Sequence, residues 1–277
     1  MHTPILPGAV KLARCLTLLA VAGPLAAQGD APPPPAYLQV FREVIKTGRT
    51  GPHVETEAGW PRAFAKAKTQ NHYLALESVF GRSEVWFIEG HESIAEIDQI
   101  NKDLDAVPGL SQTLDKLSQA DAANVASLRT ILARFRPGLS NPGQVDVAQM
   151  RVWEIIVFRV RPGREADFAE SAQLYRSVVE QANVAAPWAT YEIMAGMPGP
   201  TYLVLVPHRG LAEIDPATGA GAAIEKAMSG VMAKRLGTLA EGFYSVENIV
   251  FNVSPEMSYP SPEMIAADPQ FWGRKRR

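Results

Sequence analysis

The chain has 277 residues, of which 47% are hydrophobic and 20% are charged, so it is long and apolar enough for two small domains with buried cores. It carries 27 basic and 29 acidic side chains, a formal net charge of −2. This balance argues against a nucleic-acid-binding surface, which needs a clustered excess of basic residues. The one basic cluster is the C-terminal run from Gly273 to Arg277.

Residues 1–27 have the features of a secretory signal peptide. Lys11 and Arg14 supply the positive region, and an apolar run that ends in small residues follows at 15–27. At about 13 residues this run is shorter than the roughly 20 that a membrane-spanning helix needs. We therefore predict an exported protein, periplasmic or extracellular, with no stable membrane anchor.

The only cysteine, Cys15, lies within the segment that we predict to be removed. The mature chain would then have no thiol, which excludes disulfides, zinc–thiolate sites, iron–sulfur clusters and thioether-bound haem. On this basis we expect no cofactor, while haem held in another way and a metal bound by other side chains stay open.

The first half of the mature chain predicts strands and helices in alternation. Residues 28–36 are a proline-rich linker, and folded structure should begin near Tyr37. The elements predicted next are, in order, a strand over 37–45, a helix through Trp60 and Phe64, strands over 73–80 and 85–88, and helical sequence that continues to about residue 134.

The second half repeats this order. Its predicted elements are a strand over 151–160, an Arg-Pro-Gly turn at 161–163, a helix over 165–183, strands over 188–195 and 202–206, helical sequence over 218–239 and a strand over 243–253. We therefore divide the mature chain into a first repeat at 37–143, a second repeat at 144–262 and a basic tail at 263–277.

Individual residues match between the repeats at a nearly constant offset. In the alignment of the two repeats Glu77 corresponds to Glu192 at an offset of 115, and His91 corresponds to His208 at an offset of 117. The four residues 95–98 are identical to 212–215, also at 117. The common order of these matches indicates an internal duplication.

Each repeat reads β-α-β-β-α-β, the split βαβ pattern of ferredoxin-like domains, in which an antiparallel sheet has helices on one face. The strands are apolar on both sides: Ile156 and Phe158 alternate with Ile155 and Val157. An exposed apolar face would associate with another surface. We therefore predict an α+β protein in which the two repeats pack sheet to sheet as an intramolecular α/β barrel.

This element order, together with the Arg-Pro-Gly turn, resembles the dimeric α/β-barrel superfamily over roughly Tyr37 to Pro260. The superfamily includes antibiotic-biosynthesis-monooxygenase-like and NIPSNAP-like proteins. Its members include cofactor-free oxygenases, haem-handling enzymes, isomerases and plain binding proteins, so the resemblance implies the fold and does not choose an activity.

Glu77 and Glu192 are the first pair of candidate catalytic residues. The alternation of the second strand suggests that Leu74 and Leu76 face the helices, which would turn the two glutamates toward the interface between the sheets. A carboxylate there would be partly desolvated, which raises its pKa and suits proton transfer. The alternative is a structural ion pair with an arginine.

His91 and His208 are the second pair, because both stand where the third strand of a repeat ends. Two histidines related by the duplication could flank one cleft in acid–base roles. Neither has the spacing of a zinc site, and a hydrogen bond to the backbone is the structural alternative. His53 and His72 have no counterpart in the second repeat and rank lower.

Three functions stay open at this point. The first is a binding protein that holds a small apolar or aromatic ligand between the two repeats. The second is a cofactor-independent oxygenase or isomerase of the same superfamily, and the third is a structural or interaction module without a ligand. We expect a monomer or homodimer with no nucleic-acid partner.

Overall fold

The computed structural model describes residues 32–217 and 219–273. The predicted signal peptide at 1–27 lies outside this part of the chain, as do the last four residues of the basic run. Within the described residues no helix is both long enough and apolar enough to cross a bilayer.

The described chain alternates strands and helices in two halves of the same order. The first half contains β1 (Tyr37–Ile45), α1 (Thr50–Glu57), α2 (Gly59–Ala67), β2 (Tyr73–Ser78), β3 (Glu84–His91), α3 (Ile94–Ala106), α4 (Leu110–Asp121) and β4 (Val125–Phe135). The second contains β5 (Val152–Val160), α5 (Glu165–Ala182), β6 (Ala189–Ala195), β7 (Thr201–His208), α6 (Gly219–Ala227), α7 (Gly230–Ala240) and β8 (Phe243–Val253). Two short helices follow, α8 (Pro262–Ala267) and α9 (Pro269–Trp272).

The eight strands form one closed barrel in the order β1-β3-β2-β8-β5-β7-β6-β4. Each half supplies a four-stranded antiparallel sheet, β4-β1-β3-β2 in the first and β8-β5-β7-β6 in the second. The sheets are joined edge to edge by the antiparallel pairs β2–β8 and β4–β6. The predicted α+β fold, an α/β barrel built within one chain, is confirmed.

Strand β4 differs from the expectation, which placed helical sequence up to about residue 134. The helices end at Asp121, and Val125–Phe135 pairs with β1 over its whole length. The segment has polar residues at several positions and no strict alternation, so its local pattern does not predict a strand. Its counterpart β8 identifies the segment as a strand, because Phe243–Val253 lies 118 residues further along the chain and has the same length.

The interior of the barrel is filled by side chains from all eight strands. The buried strand residues of this cluster are Leu38, Val40, Leu76, Trp86, Ile131, Ala133, Ile155, Val157, Tyr191, Ile193, Leu203, Leu205, Ile249, Phe251 and Val253. The rings of Trp86 and Phe251, one from each half, contact each other in this cluster with their centroids 5.3 Å apart. The expectation of a ligand site between the two sheets is therefore wrong, because large apolar side chains occupy that space.

The segment after β8 covers one end of the barrel, which differs from the expected tail at 263–277. Trp272 of α9 is buried in the interior cluster, and its indole N–H donates to the carbonyl of Ala148. Arg151 forms an ion pair with Asp268, and its guanidinium lies 3.8 Å above the ring of Phe271. These contacts make residues 262–272 part of the folded unit.

The outer faces of the two sheets are packed against the helices. In the first half the outer cluster includes Phe64, Tyr73, Phe87 and Leu110, and in the second half it includes Phe168 and Tyr202, whose rings stack 4.2 Å apart. The strands are thus buried on both faces, as their sequences predict.

Candidate functional site

A cavity of about 580 Å³ lies in the first half, between the outer face of its sheet and helices α1 to α4. Strands β1 and β3 form its floor through Phe41, Glu43, Phe87 and Glu89. This volume is within the range of small-molecule sites. The site is therefore on the face of the sheet opposite to the barrel interior.

The walls of the cavity are mostly apolar. The apolar and aromatic side chains are Phe41, Trp60, Phe64, Tyr73, Phe87, Ile97, Ile100, Leu104, Leu114, Val125 and Leu128. Several rings contact each other edge to face, with centroids 6.2 Å apart for Phe64 and Tyr73 and 5.9 Å apart for Tyr73 and Phe87. Such a surface suits a molecule with a large apolar body.

Four ionisable residues meet at one end of the cavity. Glu43 comes from β1, Asp121 is the last residue of α4, and His53 and Glu57 stand four residues apart on α1, which places them on one helix face. Each offers one nitrogen or oxygen atom, and these atoms all lie within 4.8 Å of one another. We call these residues the Glu–His cluster.

The imidazole of His53 is completely buried, and one of its two nitrogens is hydrogen-bonded. Its Nδ1 donates to the carboxylate of Asp121 at 3.0 Å, and the side-chain amide of Asn124 donates to the same carboxylate at 2.9 Å. Its Nε2 lies 3.7 Å from Oε2 of Glu43 without a hydrogen bond. The ring is therefore oriented by Asp121 with its second nitrogen directed at the cluster.

Burial strongly raises the pKa values of the two glutamates of the cluster. It raises the pKa of Glu57 to about 9, and the neighbouring charges of Glu43 and Asp121 add to the rise. The indole N–H of Trp60 opposes it in part, although no hydrogen bond of normal geometry joins them. Burial also raises the pKa of Glu43 to about 7, against the effect of His53. Without a cation nearby, the cluster holds protons that exposed carboxylates would release.

Buried polar atoms without a hydrogen-bond partner in the described part of the chain are concentrated around this cavity. They include Oε2 of Glu43, Nε2 of His53, Nε1 of Trp60, Oδ1 of Asn71 and both ring nitrogens of His91. A buried polar atom left without a partner costs about 1–3 kcal/mol. The unpaired atoms of Glu43 and His53 lie together in the cluster and those of His91 lie elsewhere on the cavity wall, which indicates sites for polar groups of a ligand or for an ion.

His91 marks the other end of the cavity. It ends β3, is only 3% exposed, and its Nε2 lies 3.6 Å from Oε2 of Glu89. Position 91 pairs with Tyr37, so Glu43 lies six residues further along β1, or roughly 20 Å away at about 3.3 Å per residue. The cavity is therefore elongated, with a polar group at each end.

The second half has the same strand order but a different interior at the positions of the cluster. Strands β1 and β5 begin at Tyr37 and Val152, an offset of 115, and the strands after α4 and α7 are offset by 118. At these offsets the counterparts of Glu43, His53, Glu57 and Asp121 are Phe158, Phe168, Ala172 and Leu239. All four are apolar, and the first three pack in one cluster. The fold itself therefore does not require polar residues at these positions.

The predicted glutamates lie elsewhere and face the other way. Leu76 and Tyr191 belong to the interior of the barrel, so Glu77 and Glu192 point to the outer face. The predicted orientation is reversed, because both faces of these strands are buried and alternation alone does not identify the face that the helices cover. Neither glutamate lines the cavity.

Glu192 forms the structural ion pair with arginine that was the alternative to a catalytic role. Arg134 and Arg136 both donate to its Oε2, at 2.9 and 2.5 Å. Burial alone would raise the pKa of Glu192, but the two guanidinium groups outweigh it and hold the pKa below its usual range.

Of the two histidines, the structure brings only His91 to the cavity. His208 ends β7 in the second half, where its Nε2 lies 3.5 Å from Oε2 of Glu154, and it is absent from the cavity lining. The pair does not flank one cleft.

The sequence analysis did not predict the Glu–His cluster, and it ranked His53 below His91 and His208 as a candidate site residue. Two signals could have found it. His53 and Glu57 have the four-residue spacing of neighbours on a helix, and all four positions are polar where the second repeat is apolar. The contribution of Glu43 and Asp121 depends on packing between distant elements.

The charge of the lining limits what the cavity can hold. Its charged side chains are Glu43, Glu57, Glu89 and Asp121, and no lysine or arginine is among the described residues that line it. Haem carries two negative propionate groups, which these acidic side chains would repel, so this lining is unfavourable for haem. A ligand without negative charge fits better.

Solved structures share this fold. A provisionally named monooxygenase of Fusobacterium nucleatum aligns with a TM-score of 0.53 at 8% identity, over 79% of this chain and 93% of that one. An anthrone oxidase-like protein aligns with a TM-score of 0.52 at 11% identity, over 79% of this chain and 92% of that one. No family model and no curated protein matches the sequence. The chain has the dimeric α/β-barrel fold, and at these identities the likeness extends to the fold alone.

Proposed function

We propose that this protein binds an elongated apolar or aromatic molecule, neutral or positively charged, in the cavity of its first repeat. The observation that carries the proposal is the cavity of about 580 Å³, with its aromatic walls, polar ends and lack of basic side chains among the described lining residues. The apolar body would lie against Phe41, Phe64 and Phe87, and polar groups would reach the Glu–His cluster or His91. This replaces the expected site between the repeats.

Three dyes of similar ring size test the proposal, one neutral (Nile red), one cationic (acridine orange) and one anionic (anilinonaphthalene sulfonate). We expect saturable binding of the first two at one per chain and at least tenfold weaker binding of the anion. Leu104→Trp, which fills the cavity, should weaken dye binding at least tenfold. Leu211→Trp, at an exposed position of the second repeat, is the control. Equal binding of all three dyes by both variants would refute the proposal.

A second function is favoured by His91. Both its ring nitrogens are buried without a hydrogen-bond partner, and it lies on the cavity wall. A histidine so placed can accept a proton from a bound molecule, the first step expected of an isomerase or a cofactor-independent oxygenase. The neighbouring Glu89 would stabilise the imidazolium that forms.

The variant His91→Gln distinguishes the two proposed functions, a binding protein and an enzyme. Native mass spectrometry of the protein purified from its own host would first identify the natural ligand. The enzyme predicts turnover of that ligand by the wild type and a loss of at least 100-fold in kcat for His91→Gln. A ligand that is recovered unaltered after incubation with the wild type in air identifies a binding protein.

We also propose export of the mature chain, supported by Lys11, Arg14 and the apolar run at 15–27. Sequencing of the N-terminus of the protein from its native host tests this. Cleavage at or near Ala27 is the expected result, and an intact N-terminus in the cytoplasmic fraction would refute it.

A further inference from the structure

The Glu–His cluster has nearly the dimensions of a metal-coordination sphere. Its four ligand atoms lie within 4.8 Å of one another. Nitrogen and oxygen ligands lie about 2.0–2.2 Å from a divalent transition metal, so two ligands of one ion are at most about 4.4 Å apart. Glu43, His53 and Glu57 are three of these four residues, so a contraction of about half an ångström, within the reach of side-chain torsions, would bring their ligand atoms into one sphere.

The state of His53 is independent evidence that points to a ligand. The side chain is fully buried, and its Nε2 is directed at the cluster without a hydrogen-bond partner. Its Nδ1 is held by Asp121, which in turn accepts from Asn124. A metal-binding histidine typically donates its other N–H to a carboxylate, which fixes the tautomer and the direction of the free nitrogen.

The second repeat acts as an internal comparison. At the four equivalent positions it has Phe158, Phe168, Ala172 and Leu239, of which the first three share one cluster and Leu239 is buried. Packing of the fold is therefore satisfied by apolar residues at these positions. The first repeat instead buries three carboxyl groups and an imidazole together, which costs free energy unless the carboxyl groups are protonated or a cation compensates their charges.

We propose that Glu43, Nε2 of His53 and Glu57 bind a divalent first-row transition metal ion, with Asp121 as the residue that positions His53. Two carboxylates and one imidazole suit Mn²⁺, Fe²⁺ or Zn²⁺, whereas Mg²⁺ and Ca²⁺ prefer oxygen ligands alone. Glu43 and Glu57 line the cavity, whereas His53 is fully buried and is not among the lining residues. The remaining coordination positions of the ion therefore face the cavity, where water or a polar group of the ligand can bind. This site goes beyond the binding of an apolar molecule and does not depend on it.

The experiment uses tag-free protein that has been treated with a chelator and dialysed. Titration with Mn²⁺, followed by electron paramagnetic resonance of the free ion, and calorimetric titration with Zn²⁺ should each give one site per chain. Glu57→Gln and Glu43→Gln keep the side-chain shape and should weaken binding at least 100-fold. Asp121→Asn should weaken it about 10- to 100-fold while circular dichroism stays unchanged.

Two controls separate coordination from general effects of charge. Glu89→Gln removes a carboxylate from the same cavity outside the cluster, and Glu55→Gln removes an exposed one from α1. Each should change the affinity for Mn²⁺ by less than threefold. Equal losses in Glu89→Gln and Glu57→Gln would overturn the proposal, because they would show a diffuse electrostatic effect.

A quadruple variant keeps the test decisive if single variants fold poorly. Glu43→Phe, His53→Phe, Glu57→Ala and Asp121→Leu together copy the residues of the second repeat, which are packed or buried in a repeat of the same strand order. We expect a folded protein that binds neither Mn²⁺ nor Zn²⁺. Wild-type protein that binds no metal at 1 mM, or a folded quadruple variant that still binds one ion, would overturn the proposal. The dye titrations on the same samples report the apolar ligand site separately.

Discussion

Glu57→Gln should change how the stability of the metal-free protein depends on pH. In the folded chain the pKa of Glu57 is raised to about 9, from an ordinary value of 4.5, mainly by burial. Between these values the folded state keeps the proton and the unfolded state releases it. The contribution of this group to stability is thus complete below about pH 4.5 and is lost as the pH rises toward 9.

The size of the effect follows from proton linkage. One proton of difference between the folded and unfolded states changes the free energy of unfolding by about 1.4 kcal/mol per pH unit. Between pH 5.5 and 8.5 the wild type should lose on the order of 4 kcal/mol through Glu57, a large part of the roughly 5–15 kcal/mol of a typical domain. A glutamine does not titrate, so the variant should lose correspondingly less over the same range.

Urea unfolding followed by tryptophan fluorescence, in the presence of a chelator at several pH values, measures these slopes. Glu55→Gln is the matched control, because Glu55 is an exposed residue of the same helix. The control should follow the wild-type curve. Parallel curves for the wild type and Glu57→Gln would refute the reasoning, because Glu57 would then not be buried as the structure has it.

Other predictions concern the barrel. Gly196→Ala should lower the free energy of unfolding by about 2–4 kcal/mol in the same urea assay. The φ angle of Gly196 is +91°, and an added Cβ would lie 2.0 Å from a carbonyl oxygen of β4. Gly199→Ala is the control, because the space around Gly199 is open. Phe251→Ala should cost about 3–5 kcal/mol, since it empties the centre of the interior cluster. Trp272→Ala should cost a similar amount and show that the C-terminal helices belong to the folded unit, whereas Phe80→Ala, at a residue that is 66% exposed, should change stability by less than about 0.5 kcal/mol.

The strands of the second repeat were largely predictable because their residues are β-branched or aromatic and their ends carry turn residues. The expected strand over 243–253 coincides with β8, and the strand over 37–45 coincides with β1. Strand β4 was missed for the opposite reason: its own residues have no clear period, and its identity comes from its partner β1. The repeat alignment was the better guide there, since it carries information from β8.

The alternation of side chains established that Leu76 and Glu77 lie on opposite faces of β2, but not which face is the barrel interior. In a sheet that is buried on both sides, helices and a second sheet offer similar apolar surroundings, so local sequence does not distinguish them. The choice follows from how the two sheets join at β2–β8 and β4–β6. This is why apolar side chains fill the space between the sheets, where the pocket was expected, and the cavity described above lies under the helices.

The duplicated α+β barrel of this chain follows from its sequence alone, because hydrophobic periodicity and repetition are properties of neighbouring residues and of constant offsets. The Glu–His cluster depends on the tertiary structure, because β1, α1 and the end of α4 bring together Glu43, His53 and Asp121, residues that are up to 78 positions apart. Their burial, and with it their raised proton affinity and their capacity for a cation, exists only once the helices close over the sheet.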